Sequence, residues 1–365
     1  MDKPDVTVVM PIFNRHELAV KAAESLLAQD TFFTYEIVVV DDGSTDGVAE
    51  AVLKLDKKIR AIRLTRNQGA AVARHVGIQH ARADVVVFHD SDDIAMPTKL
   101  SALVDGLTSN QKAVLAYGQV DDEMGKRLNT NARVVDQHET CELMIRDPFL
   151  TLLSHKGPIV AAMNLATYRD IGLASSRGRG FYRAANDYDL QLRIARSGQF
   201  VHVPVVTHTR ISSPQGISGK YGLVRQLAYA LHAADDAFRR SARRREQQTC
   251  EVMRERVRRD WPRAVLGAAF YADWNLLRAV LPIGPRYLNW SEMPGGVKRA
   301  LRWVARRQPE LMPNFVVRRV LDERQPCHDL EERAEEEGSN SLEAMVTHVS
   351  VERAAAVDSM DTDIA

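Results

Sequence analysis

The fold is decided by the stretch Val85–Asp93, which reads VVVFHDSDD. Its apolar half is typical of a buried strand, and it ends abruptly in three carboxylates. Ligands of open α/β sheets bind beyond the carboxyl ends of the strands. Carboxylates this close repel one another unless a cation lies between them, and Mg²⁺ takes carboxylate and phosphate oxygens. The stretch therefore indicates either a metal–diphosphate site or an acidic turn that caps the next helix.

The residues before this stretch alternate between short apolar runs and helical patterns. Strands are predicted at 7–11, 36–41, 59–64 and 84–89, and helices at 16–29, 48–55 and 70–81. Strands separated by helices indicate βαβ units and a parallel sheet. The strands are almost wholly apolar, as burial on both faces requires.

The later residues predict a second architecture. A strand is predicted at 113–117, a loop or hairpin at 118–133, a short helix at 186–197 and a strand at 201–206. From residue 219 the strand signal fades, and helices are predicted at 221–263, 266–278 and 297–307. The acidic and polar end of the sequence cannot bury enough apolar area to offset the conformational entropy that is lost on ordering. We therefore predict an α/β domain at 1–218, a helical region at 219–330 and a disordered acidic tail at 331–365.

The overall composition excludes some function classes. Lys and Arg total 49 against 48 Asp and Glu, so no global charge favours nucleic acid. The three cysteines show no disulfide or metal spacing, and no signal peptide or membrane-length apolar run is present. These features predict a cytoplasmic protein. The arginine-rich segment 239–259 contains interleaved acidic residues, which predicts a solvated face or intramolecular ion pairs, with peripheral contact to the inner face of an anionic membrane as the alternative.

Two other predicted strands also end in polar loops. Strand 2 runs into Asp41 and Asp42, whose carboxylates suit the N–H and O–H donors of a base or ribose. Strand 1 runs into Asn14. The alternative is that Asp46 and Asn14 only cap the helices that follow. Three strands ending this way at one edge of a sheet predict a single crevice.

Four segments in series resemble the successive motifs of family 2 glycosyltransferases. They are PIFNR at 11–15, VDDGSTD at 40–46, RNQG at 66–69 with ARHVGI at 73–78, and DSDD at 90–93. The resemblance covers roughly residues 5–218. It implies a GT-A fold, with a mainly parallel central sheet flanked by helices, and sugar transfer from a nucleotide diphosphate donor, usually a UDP-sugar, to a saccharide or lipid-linked acceptor with inversion. Residues 187–203 have a weaker resemblance to bacterial glycosaminoglycan polymerase domains.

The resemblance also implies roles for individual residues. The donor would be bound by Pro11, Asn14, Asp41, Asp42, Asn67, Gly69, Arg74, Asp90 and Ser91. Mn²⁺ or Mg²⁺ would be held by Asp90 and Asp92, with Asp92 as the more direct ligand. Arg74 would support Asp42 or a phosphate, or else form a structural salt bridge. His208 is a further candidate metal ligand, although a histidine at a strand end is more often structural.

An inverting transfer needs a base for the acceptor proton, and the resemblance implies Asp187 at the start of a helix. The alternative role of Asp187 is a simple helix N-cap. Asn186 stands where glutamate is commoner. Asp189 is the rival carboxylate, with pairing to Arg193 as its other role. Two alternatives stay open: a non-catalytic scaffold with the same fold, and a nucleotidyltransferase, which would need a glycine- and lysine-rich loop that 11–15 lacks.

Overall fold

The computed structural model describes residues 3–128, 143–154, 165–171, 185–211, 217–270, 273–293 and 295–307. The chain divides into two compact units, Met1–Arg256 and Val257–Ala365. The predicted domain boundary at residue 218 stays a prediction, and the predicted acidic tail lies outside the described residues.

The first half of unit 1 is the predicted alternation of strands and helices. The strands are β1 (Val6–Ile12), β2 (Tyr35–Asp41), β3 (Ile59–Arg63) and β4 (Val85–Phe88). The helices between them are α1 (His16–Leu27), α2 (Val48–Leu53) and α3 (Ala70–Gln79). The four strands are parallel in the order β3-β2-β1-β4, and β1 is buried along its whole length. The prediction of a parallel sheet is confirmed for this half.

Beyond β4 the sheet becomes mixed. Its further strands are β5 (Asp93–Ala95), β6 (Ala113–Asp122), β7 (Arg127–Leu128), β8 (Leu143–Ile145), β9 (Leu165–Tyr168) and β10 (Gln199–Arg210). β9 is antiparallel to β4 and β6, and β10 is parallel to β6 and antiparallel to β5. The predicted loop or hairpin after residue 117 is a hairpin of β6 and β7. Asp93 begins β5, a strand too short for any periodicity to predict.

Helices make up most of the remaining described chain. They are α4 (Lys99–Thr108), α5 (Pro148–Ser154), α6 (Asn186–Ile194), α7 (Ile217–Arg239), α8 (Gln247–Phe270), α9 (Trp274–Val280), α10 (Ile283–Tyr287) and α11 (Gly295–Arg307). None of the helices in the described part combines the length and apolar character needed to cross a bilayer.

Two of the predicted helices are wrong in extent. The helix predicted at 221–263 is interrupted, because Ser241 accepts a hydrogen bond from the backbone N–H of Arg243 and starts a 3₁₀ turn at Ala242–Arg245. The helix predicted at 266–278 is two helices, because the Asp273 carboxylate accepts from the backbone N–H of Leu276 and begins α9. In both places a polar side chain caps a new helical segment, and this signal outweighs the apolar periodicity.

The packing of α3 against the sheet positions part of the site. A Cβ placed on Gly77 would lie 2.4 Å from Cγ1 of Val9 on β1, so the helix lies closer to the sheet than any larger residue allows. Arg74 lies one turn earlier on the same helix and is 7% exposed. The close approach at Gly77 therefore fixes where the guanidinium of Arg74 meets the carboxyl edge of the sheet.

Candidate functional site

The predicted crevice lies where β2, β1 and β4 end side by side. The backbone N–H of Asp42 donates to the carbonyl of Ile12 at 2.9 Å, which joins the ends of β2 and β1. The Nη1 of Arg15 donates to Oδ2 of Asp92 at 2.6 Å and joins the loop after β1 to the turn after β4. The structure thus brings together three loops that the sequence placed separately.

Asn14 connects the loops after β1 and β2. Its side-chain oxygen accepts from the backbone N–H of Thr45 at 3.0 Å, and its own N–H donates to Oγ of Ser44 at 2.8 Å. Asn14 therefore does not cap α1, as one alternative predicted. Asp46 does act at helix starts, since its two oxygens accept from the backbone N–H groups of Val48 and His16.

Asp41 and Asp42 are both buried at the end of β2. Oδ1 of Asp41 accepts from the backbone N–H of Ser44 at 2.8 Å. The two oxygens of Asp42 accept from the backbone N–H groups of Gln68 and Gly69, each at 2.7 Å. Burial raises the pKa of Asp42 above its ordinary value, although these two N–H groups act in the opposite direction. Asp42 therefore orders the loop before α3. This loop carries Asn67 and Gly69, two of the predicted donor-binding residues.

Gly43 allows this loop to approach β2. Its φ of 79° is in the left-handed region, and a Cβ there would lie 2.9 Å from the carbonyl carbon of Arg66 and 3.0 Å from the nitrogen of Asn67. Only glycine satisfies both conditions. The position of Asn67 in the crevice thus depends on a side chain being absent at residue 43.

The turn after β4 carries two arginine-paired carboxylates. Asp90 accepts from Nη2 of Arg74 at 2.6 Å and Asp92 accepts from Arg15. The pKa of Asp92 is raised mainly by burial and also by repulsion from Asp90, whereas Arg15 lowers it. Ser91 lies between the two, half-buried.

The two carboxylates of this turn supply oxygen ligands of the kind that hard divalent cations take. Within the described residues no three His, Cys, Asp or Glu side chains form a metal site by themselves. Asp90 and Asp92 would therefore hold Mn²⁺ or Mg²⁺ together with oxygens from phosphate or water, the usual arrangement for Mg²⁺.

Arg74 connects this turn to the candidate base. Its Nη2 binds Asp90, and its Nη1 donates to the side-chain oxygen of Asn186 at 3.2 Å. Of the roles predicted for Arg74, the structure shows a salt bridge, which Arg74 forms with Asp90, and the role toward a phosphate stays a prediction. Asn186 directly precedes Asp187, so one buried guanidinium links the acidic turn to the start of α6.

Asp187 lies in the first turn of α6 and is partly exposed. Burial raises the pKa of Asp187, whereas the N–H of Tyr188 and the positive charge of Arg74 lower it. It is not the N-cap, because Ala185 occupies that position without a side-chain cap. Asp189 is buried and pairs with Arg193 on the same helix, as its alternative role predicted.

A buried arginine supports this helix and was missed by the sequence reasoning. Arg256 on α8 is 2% exposed, and its Nη1 donates to the hydroxyl of Tyr188 at 2.5 Å and to the carbonyl of Leu152 at 2.9 Å. The Tyr188 hydroxyl also donates to Leu152 at 2.8 Å. No signal in the sequence indicated its burial, because Arg256 lies in a segment rich in other arginines.

Several arginines of the segment 239–259 form ion pairs within the protein. Arg239 pairs with Asp235, Arg240 with Asp236, and Arg243 with both Asp147 and Glu246. These pairs agree with the intramolecular interpretation of the charge pattern. Peripheral membrane contact through this segment stays a prediction.

A polar cluster is buried beneath the acidic turn. Nζ of Lys99, which is 0% exposed, donates to the carbonyl of Phe88 at 3.2 Å and to Nδ1 of His89 at 2.7 Å. His208 is buried with its Nε2 3.8 Å from Oδ2 of Asp93. Burial keeps the pKa of His208 well below its ordinary value. The structure therefore places His208 beside Asp93, and its role as a metal ligand stays a prediction.

Lys99 gives this cluster a measurable pH dependence. Burial lowers the pKa of Lys99 from 10.5 to about 7, although Asp93 and Asp90 act in the opposite direction. Between pH 7 and pH 10.5 the unfolded chain binds more protons at this lysine than the folded protein does, so raising the pH stabilises the folded state. We expect the free energy of unfolding of the wild type, relative to Lys99→Met, to rise by about 2 kcal/mol from pH 7 to pH 9.

Urea unfolding of both proteins at the two pH values measures this difference. Lys54→Met, at an exposed lysine on the surface, is the matched control and should follow the wild type. Parallel pH dependences of the wild type and Lys99→Met would refute the prediction.

Phe13 is the second residue that the sequence reasoning missed. Its ring is 44% exposed, although it follows the buried Ile12 and precedes Asn14 at the mouth of the crevice. An exposed ring at this position offers a flat apolar surface beside hydrogen-bonding groups. The signal in the sequence was an aromatic residue in a loop that otherwise carries polar side chains.

Parts of the chain are similar in sequence to known proteins. Residues 7–169 match the family model described as Glycosyl transferase family 2. The succinoglycan biosynthesis protein ExoO of Rhizobium meliloti is 41% identical over 103 residues, which cover 28% of this chain and 29% of ExoO. An uncharacterized glycosyltransferase of Rickettsia felis is 38% identical over 107 residues, 29% of this chain and 17% of the relative. The chain thus matches less than a third of the length of either relative.

Solved structures share the fold. The crystal structure of S. aureus TarS 1-349 in complex with UDP aligns with a TM-score of 0.58 at 16% identity, covering 87% of this chain and 88% of that one. The structure of the same protein in complex with UDP-GlcNAc has the same TM-score, identity and coverage. The predicted fold, a central sheet flanked by helices with a helical C-terminal region, is confirmed.

Proposed function

Because residues 7–169 belong to glycosyl transferase family 2, we propose that this glycosyltransferase moves a sugar from a UDP-sugar to a saccharide or lipid-linked hydroxyl in polysaccharide biosynthesis. The observation that carries the proposal is the link through Arg74, which joins Asp90 of the acidic turn to Asn186, the residue directly before Asp187 at the start of α6. The names of ExoO and of the UDP-bound TarS structures support the product class and the nucleotide.

Donor binding is assigned to the three loops of the crevice. Phe13 would stack on the uracil. Asp41 and the loop carrying Asn67 and Gly69 would accept hydrogen bonds from the N–H and O–H groups of the uridine. Mn²⁺ or Mg²⁺ at Asp90 and Asp92 would supply Lewis-acid stabilisation of the charge that develops on the leaving diphosphate.

The transfer is a direct displacement. The acceptor oxygen forms a bond to the anomeric carbon as the bond from that carbon to the diphosphate breaks, which inverts the configuration. The acceptor proton passes to Asp187, and UDP leaves with the electron pair of the broken bond. A pKa raised by burial suits Asp187 to this work, because a stronger base accepts the proton more readily.

Thermal unfolding with UDP, GDP, CDP and dTDP, each with Mn²⁺, tests the donor class. A ligand at a hundred times its Kd stabilises the folded state by about 2.7 kcal/mol, so UDP should raise Tm by several degrees, and by more than the other nucleotides. Hydrolysis of UDP-sugars in the presence of Mn²⁺ tests the chemistry. No shift with UDP and no hydrolysis of any donor would refute the proposal.

A non-catalytic binding scaffold is the second candidate, because Asn186 stands where glutamate is commoner in the family. A scaffold would show the thermal shift with UDP without turnover of any donor. The two functions are therefore separated by the same pair of measurements.

Phe13 gives a prediction for nucleotide recognition. Stacking of a base on an aromatic ring contributes about 1–3 kcal/mol, so Phe13→Ala should weaken UDP binding about tenfold or more. The exposed ring makes little contribution to the core, and the variant should fold normally. Phe32→Ala removes a fully exposed ring from another loop and is the matched control. Equal UDP affinities of Phe13→Ala and the wild type, measured by calorimetry, would contradict the stacking role.

A further inference from the structure

We propose that Arg15 and a divalent cation compete for Asp92, and that the arginine displaced by the cation binds the donor diphosphate. This inference rests on the proposed function, because it needs a diphosphate in the crevice. It adds Arg15 to the donor-binding residues, since the roles implied for the motif PIFNR cover Pro11 and Asn14 only.

The backbone at Arg15 is held in an unusual conformation. Asn14 and Arg15 have φ angles of 55° and 59°, and left-handed residues other than glycine are uncommon and strained. The hydrogen bonds of Asn14 to Ser44 and Thr45 compensate this strain. Strain kept in this way points to a functional demand on the direction of the side chain. Here the guanidinium extends to the acidic turn, 77 residues later in the sequence.

Arg15 occupies a carboxylate oxygen that a cation would need. Its Nη1 lies 2.6 Å from Oδ2 of Asp92, which is the more direct metal ligand in the implied roles. A divalent ion on the same carboxylate would repel a guanidinium at this distance. The guanidinium of Arg15 and the divalent ion should therefore each weaken the binding of the other to Asp92.

The two arginines at the turn differ in how easily they can leave. The side chain of Arg74 is 9% exposed and is bonded to Asn186 as well as to Asp90. The side chain of Arg15 is 26% exposed, nearly three times as much. Because its side chain is the more exposed of the two, Arg15 is the guanidinium that yields to the ion.

A displaced Arg15 has a suitable new partner nearby. Its guanidinium presents planar donors that match phosphate oxygens, and charge-assisted bonds of this kind are strong. The residue lies in the loop between Phe13 and α1, at the same end of the sheet as Asp92. Because coupling is reciprocal, cation and diphosphate should strengthen each other's binding through this exchange.

The test measures Mn²⁺ binding without nucleotide, by electron paramagnetic resonance of the free ion. Arg15→Gln should bind Mn²⁺ about fivefold more tightly than the wild type, because the competing ion pair is gone. At saturating Mn²⁺ the same variant should bind UDP about tenfold more weakly, because a guanidinium–phosphate contact is lost. Arg15→Lys keeps the charge and should lie between the wild type and Arg15→Gln in both measurements. Lys21→Gln removes one positive charge from the exposed face of α1 and should change neither value.

Changes of opposite sign in one variant cannot result from misfolding. Unchanged or weaker Mn²⁺ binding by Arg15→Gln would overturn the competition, and unchanged UDP binding would overturn the role toward the diphosphate. If the wild type binds no UDP, the proposed function fails, while the Mn²⁺ measurement still decides whether Arg15 and the cation compete.

Discussion

Asp187→Asn is expected to lower kcat for sugar transfer about a thousandfold while UDP affinity stays at the wild-type value, because a positioned base contributes about 10²–10⁴ to rate. The substitution keeps the size of the side chain and an oxygen that can accept from the N–H of Tyr188. Only the ability to take a proton is lost. Calorimetric titration with UDP and an assay of transferred sugar, performed on one preparation, separate binding from chemistry.

Asp189→Asn is the matched control for this base. It lies on the same helix two residues later, is buried, and pairs with Arg193. It should lose stability but retain turnover within about tenfold of the wild type, because a remote structural pair does not take the acceptor proton. Asp187→Asn with turnover within tenfold of the wild type would exclude Asp187 as the base.

The pH profile of kcat carries independent information about Asp187. Burial raises its pKa, and the base must be ionised to act, so activity should fall on the acid side at a pH above the ordinary aspartate value. The residual activity of Asp187→Asn should not show this acid limb.

Arg74→Met is expected to have the second largest effect, with a loss of about 10²-fold or more in kcat and about 3 kcal/mol in stability. The substitution leaves Asp90 without its ion pair and removes the bond to Asn186, so the acidic turn and α6 lose their common support. Arg74→Lys should restore part of the stability but little of the rate, because an ammonium group cannot span two acceptors as a planar guanidinium does.

Arg82→Met separates stability from positioning. Arg82 pairs with the buried Glu36 near the start of β2, at the opposite end of that strand from the crevice. Both arginine variants break an ion pair with a carboxylate of the sheet region. Only Arg74→Met should lower kcat, and equal losses of rate in the two variants would show that Arg74 acts through stability alone.

The donor side of the site could be predicted from sequence because its residues follow strands. Asp41, Asp42, Asp90 and Asp92 each follow an apolar run within a few residues, and neighbouring parallel strands bring such positions to one edge. The family resemblance then pointed to Asp187, which the structure links to the same site through Arg74.

Pairings between distant segments could not be predicted in this way. The bond between Arg74 and Asn186 joins residues 112 positions apart, and no periodicity encodes it. His208 lies beside Asp93 because β10 contains irregularities in register before it pairs with β5, which shifts side chains relative to a regular strand. Arg256 was hidden in a charged segment, since its burial depends on the rotation of α8 toward Tyr188.

The bond between Arg256 and Tyr188 limits how this protein can exchange parts with its relatives. The family match ends at residue 169, yet the helix that begins with Asn186 and Asp187 is supported by a side chain far beyond that end. A chimaera joined at residue 218 would receive a foreign helix in place of α8 and lose the guanidinium that holds Tyr188 and Leu152. A chimaera that keeps this support for the start of α6 must therefore carry the native chain past residue 256.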